Sequence, residues 1–114
     1  MSINGDYQAS KIGSTSVVAF NGSAGAAVSV ELINASSDQE LIVSQSFVIR
    51  VTTDARIRQG NVDTVVTATS GLMLAAGTYW RVDVEYARER YLSVLGATAA
   101  GGNIEYTSIT EVAV

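Results

Sequence analysis

The chain has 114 residues, a single domain's length, with a formal net charge of −4 and 47% hydrophobic against 16% charged residues. It contains no cysteine, histidine or proline, which excludes disulfides, thiolate and imidazole metal sites and the Ser-His pair of most hydrolases. The acidic balance argues against a nucleic-acid partner, which needs a basic face. The low charge density of so small a domain points to surface that a partner covers.

Residues 1–13 are polar and lack the apolar core of a signal peptide. They are expected to form an N-terminal arm before a single β-sandwich domain over residues 14–114. Residues 14–20 read as the first strand, ended by the turn signal Asn21-Gly22-Ser23. Residues 27–33 place Val28, Val30 and Leu32 on one face, and 34–39 read as a loop. The clearest alternation runs over residues 41–53. Leu41, Val43, Phe47, Ile49 and Val51 point one way, and Ser44, Ser46, Arg50 and Thr52 the other. A bend is expected near 44–46 and a break at Thr53-Asp54.

Residues 55–59 turn Ile57 inward and Arg56 and Arg58 outward. Residues 62–69 read as a strand or an extended loop. Leu72-Met73-Leu74-Ala75-Ala76 reads as an apolar loop closed by Gly77. From 78 to 86, Trp80, Val82, Val84 and Tyr86 alternate with Arg81, Asp83 and Glu85. A turn over 85–90 precedes a strand at 91–95. A small-residue loop then leads to a last strand at 103–114, with Ile104, Tyr106, Val112 and Val114 on one face. About eight short strands without an amphipathic helix predict an all-β protein, an antiparallel β-sandwich of two stacked sheets. The expected core joins Phe47, Ile49, Val51, Ile57, Trp80, Val82, Val84, Leu92, Val94 and Ile104.

Little in the chain carries chemistry. Asp83 and Glu85 lie two apart on one strand, about 7 Å from each other on one face. They are expected to be a solvated face beside Arg81. The Gly-rich segments precede strands rather than helices, and no Gly-Lys-Ser/Thr loop is present. No catalytic set, metal site or cofactor is therefore expected, and no run is apolar enough for a membrane-spanning helix. Tyr79, Tyr91 and Tyr106 could form a sugar-binding platform, or fill the core, or meet a subunit. Arg50, Arg56 and Arg58 face outward, toward acidic groups on a partner or on a neighbouring strand. The apolar run at Leu72, Met73 and Leu74 is expected to fold under the sandwich or to meet a partner. Arg56, Arg58, Leu72, Met73, Leu74 and Tyr79 are the expected partner contacts.

The middle and end of the chain carry a resemblance. Phe47-Val48-Ile49-Arg50-Val51-Thr52-Thr53 is followed by Ala55-Arg56-Ile57-Arg58-Gln59-Gly60, a Thr-rich stretch to Ser70, and Leu72-Met73-Leu74-Ala75-Ala76-Gly77. Then come Arg81-Val82, Tyr91-Leu92-Ser93-Val94-Leu95, Gly102-Asn103-Ile104 and Thr107. Over residues 47–107 this pattern resembles a family of small structural proteins of tailed bacteriophages. It departs from the family at Arg56 and Arg58, where an aromatic-apolar pair is common, and in lacking turn prolines. The resemblance implies a jelly-roll-like sandwich on the capsid exterior of a virion. There it would be a cement or decoration protein that stabilises the head by bridging subunits of the major capsid protein. It also implies a homodimer or homotrimer. A head-tail connector, a tail or fibre component, and a carbohydrate-binding β-sandwich module are the alternatives.

Overall fold

Period-two alternation needs a second apolar layer to bury its inward side chains, and two stacked sheets supply it here. The computed structural model describes residues 8–33, 45–85 and 89–113. Among them are eight strands: β1 (Gln8–Phe20), β2 (Val28–Glu31), β3 (Gln45–Val51), β4 (Ala55–Gly60), β5 (Leu72–Leu74), β6 (Tyr79–Val84), β7 (Tyr91–Gly96) and β8 (Gly102–Ala113). The first sheet has the order β1-β8-β3-β6 and the second β2-β7-β4-β5. All pairings are antiparallel. The pairs β1/β8, β2/β7, β3/β6 and β4/β5 are those of one long hairpin wrapped around itself, which is a jelly roll.

Every strand contributes to the interior, where Ile49, Val51, Val84, Val94 and Ile104 are fully buried. The crossovers between sheets are tied to one another by hydrogen bonds at one end. Asp54 Oδ1 accepts from the Ala76 amide at 2.8 Å, and its carbonyl accepts from Ala97 at 2.9 Å. The Gly77 amide reaches the Val51 carbonyl at 2.9 Å, and Ser23 reaches Thr98 at 2.8 Å. The break read at Thr53-Asp54 is thus the place where the chain changes sheets.

Several elements differ from the sequence expectation. The first strand starts at Gln8, so residues 8–13 belong to β1 and not to an arm; residues 1–7 lie outside the described residues, as do the loop expected at 34–39 and the start of the alternation at 41–44. The four residues Gln8, Ala9, Ser10 and Lys11 pair with residues 110–113, whereas β3 joins β8 only from Ile109 onward. At about 3.4 Å per residue β1 and β8 each reach roughly 40 Å and are the longest strands described. Residues 61–71 form a loop over the outer face of the second sheet. Val66 is buried there, and its amide donates to the buried Ser93 Oγ at 2.9 Å. That cover is why β7 is buried on both faces.

Trp80 is the main correction to the expected core. It keeps the inward register of Val82 and Val84, opposite Ile49, yet it is 47% exposed. The reason is its place on β6, an outer strand of the first sheet with no further strand beside it among the described residues. The other nine expected core residues are buried.

We expect Ile49→Ala to cost about 2–5 kcal/mol in urea unfolding and Trp80→Ala only about 1–2 kcal/mol, because half of the indole is already in water. Gly71, at φ +83°, would bring a Cβ to 2.6 Å from the Ile57 carbonyl oxygen, whereas Gly77, at φ +80°, has open space around it. Gly71→Ala should therefore destabilise by about 1–3 kcal/mol, more than Gly77→Ala in the same assay.

Candidate functional site

With Phe47, Ile49 and Val51 directed inward, the intervening residues of β3 face out, and the register assembles their neighbours. Arg50 lies between Tyr79 on β6 and Glu105 on β8. Val48 lies beside Thr107, which pairs in turn with Thr15 on β1, and Ile109 pairs with Ile12. These residues line a cleft of about 370 Å³ on the outer face of the first sheet. Val48 and Ile109 are half-buried, while Ile12 and Tyr79 stand 74% and 69% exposed. Arg50 Nη1 donates to Glu105 Oε1 at 3.3 Å, and the Thr15 and Thr107 hydroxyls are 2.7 Å apart. One cation and one anion leave the cleft without net charge. It offers apolar surface flanked by donors and acceptors.

Of the expected contact residues, Tyr79 lines this cleft and the others lie on the second sheet. Arg58 is exposed opposite Ser93. Arg56 is half-buried by its own chain: Nη1 donates to the Gly71 carbonyl at 3.4 Å, and Nε is buried without an acceptor among the described residues. Leu72 and Met73 are 41% and 42% exposed. Leu74 is 2% exposed and belongs to the core, which removes it as a contact residue. The expected apolar loop is in fact strand β5. Leu74 sits opposite Ala55, where the strand's inward face is covered.

The three tyrosines do not form a platform. Tyr106 packs edge-on against Phe47 in the interior, with ring centroids 6.2 Å apart. Tyr91 lies on the second sheet, under the Arg90 guanidinium at 4.9 Å and with its hydroxyl donating to Glu31 at 3.1 Å. The cleft escaped the sequence reading because its lining comes from four strands whose order is not a local property.

Asp83 is held in a polar set with Ser46 and Arg81. Its Oδ1 accepts from Ser46 Oγ at 2.7 Å and from Arg81 Nε at 3.1 Å, and Arg81 Nη2 donates to Ser46 Oγ at 3.0 Å. The Ser46 hydrogen bond, and after it the Arg81 guanidinium, hold the carboxyl below its ordinary value of 3.8 against a small opposing effect of burial. Asp83 thus serves as an ionised acceptor within the sheet. Among the described residues no group of three or more Asp or Glu side chains is placed to hold a metal ion.

No protein-family model and no curated protein matches the chain. Among solved structures, a chain from the Bacillus endospore appendages, which form disulfide-linked pili, is similar with a TM-score of 0.52. The match is 19% identical and covers 95% of this chain and 91% of that chain. At that identity the likeness is one of fold.

A depressed pKa stabilises the fold fully above the unfolded value and is lost as pH falls through the folded one. Asp83→Asn should therefore be less stable than the parent at neutral pH, and the gap should narrow as pH falls below the ordinary value of 3.8. Thermal melts of both proteins across that range provide the check.

Proposed function

We propose that this chain is a non-enzymatic structural subunit that joins copies of itself along the edges of its sheets. The observation that carries this reading is the pair of open edges of the first sheet. Among the described residues β1 and β6 are its two outer strands, and neither is paired on its far side. An unpaired strand edge is a template for another strand. The β6 edge also bears Trp80, an inward-register side chain left half in solvent, and β5 leaves Leu72 in the same condition. Both would be covered by an added strand. Pairing β1 of one copy with β6 of the next is head-to-tail. It gives a ring, such as a trimer, if the rotation closes and a filament if it does not.

The likeness to a pilus chain supports an assembling subunit. That neighbour is linked by disulfides. This chain has no cysteine, so its own contacts would be strand pairing and apolar burial. The resemblance of residues 47–107 to tailed-phage structural proteins supports the finer placement, a virion part that cements major capsid protein subunits from outside the head.

Trp80 is the chain's one tryptophan, so its emission reports on the β6 edge directly. Sedimentation should show oligomers that grow with concentration, together with a blue shift of the emission. Trp80→Lys should stay folded by circular dichroism and sediment as a monomer. A parent that is monomeric at high micromolar concentration with unshifted emission would overturn the reading. Raised heat stability of phage heads carrying the protein, against heads without it, tests the cement placement separately.

A further inference from the structure

The cleft on the outer face of the first sheet is not used by edge pairing, and its chemistry is specific. We infer that it binds a neutral saccharide, one or two pyranose rings in extent. At about 370 Å³ it falls in the size range of small-ligand sites. It is concave, so a twofold-related copy of the same face would leave a void rather than a packed contact. Its floor strands, β3 and β8, are central and already paired on both sides, whereas extended peptides add at sheet edges.

The polar groups narrow the ligand further. Arg50 and Glu105 sit side by side, so an anion would meet the carboxylate and a cation the guanidinium. A purely apolar chain would take water from the remaining donor and acceptor positions of that pair and of the two threonine hydroxyls and replace it with nothing, at a desolvation cost. A pyranose meets both demands. Its C–H faces suit Val48, Ile109 and the exposed Tyr79 ring, and its hydroxyls donate and accept around the rim. Guanidinium and carboxylate have more bonding capacity than their mutual 3.3 Å contact uses, and each threonine hydroxyl both donates and accepts. A donor beside an acceptor is the arrangement that neighbouring sugar hydroxyls match.

The experiment is an amide-resolved NMR titration with methyl glycosides of glucose, galactose, mannose and N-acetylglucosamine, and with cellobiose and chitobiose, at millimolar concentration. The expected result is saturable shifts at Val48, Arg50, Glu105 and Thr107 for at least one sugar. Binding should weaken at least tenfold in Tyr79→Ala and in Glu105→Gln, and be unchanged in Met73→Ala on the second sheet. No saturable shift with any of the sugars overturns the inference. Shifts confined to other surfaces, or binding that persists undiminished in Tyr79→Ala, overturn it too. A Tyr79→Ala variant that changes sedimentation but not sugar binding assigns the cleft to contacts between copies instead. Loss of assembly in Trp80→Lys with sugar binding intact would leave this inference standing, so the two readings fail separately.

Discussion

The inner faces of the two sheets, meeting through Ile49, Val51, Val84, Val94 and Ile104, hold this molecule together. Neither sheet could persist without the other, because each would expose a continuous apolar face. The chain has no disulfide to restrain its unfolded state. What stops the layers from sliding is the set of hydrogen bonds around Asp54, which joins crossovers far apart in sequence. Gln59 Nε2 also donates to the carbonyls of Asp83 and Glu89, at 2.9 and 2.8 Å, and so links β4 to the end of β6 and to the residues just before β7. Apolar burial supplies the driving force, and these polar ties set the relative position of the layers.

The outer faces are treated unequally. The loop over residues 61–71 covers β7 on the outer face of the second sheet, with Val66 as its plug and Gly71 as the tight position that lets the backbone approach Ile57. Among the described residues the first sheet has no such cover. Its outer face carries the cleft and an ion pair with each side chain about one-third exposed, and its outer strands β1 and β6 have no further strand beside them. The β1 edge carries a register irregularity between Ile12 and Thr15, a feature that restricts which strand can pair with it. Among the described residues, the edges at β1 and β6 lie on opposite sides of the first sheet and give it a direction.

That direction links fold to function. Head-to-tail addition along the edges of the first sheet would leave its outer face, and the cleft on it, repeated at regular intervals. A repeated weak site gains avidity without any single site binding tightly. A structural subunit and a saccharide-binding surface are therefore compatible roles on one jelly roll, and each rests on different side chains.

The inward faces were legible in the sequence where alternation was strict. Phe47, Ile49 and Val51, then Val82 and Val84, announce their burial, because side-chain direction in a strand is a local property of period two. The absence of histidine, cysteine and a phosphate loop likewise narrows the chemistry from composition alone. Position within a sheet is not local. Trp80 has the inward register its neighbours predict, yet it stands half in solvent because β6 became an edge. Leu74 reads as part of an apolar run that should fold under the sandwich or meet a partner, and it is core because three residues form a strand opposite Ala55. Arg56 reads as a partner contact, yet its own loop covers it. The cleft depended entirely on tertiary structure. Ile12 and Ile109, or Thr15 and Thr107, become neighbours only when the ends of the chain pair in one register. Periodicity tells a side chain which way to point; strand order and register decide what it points at.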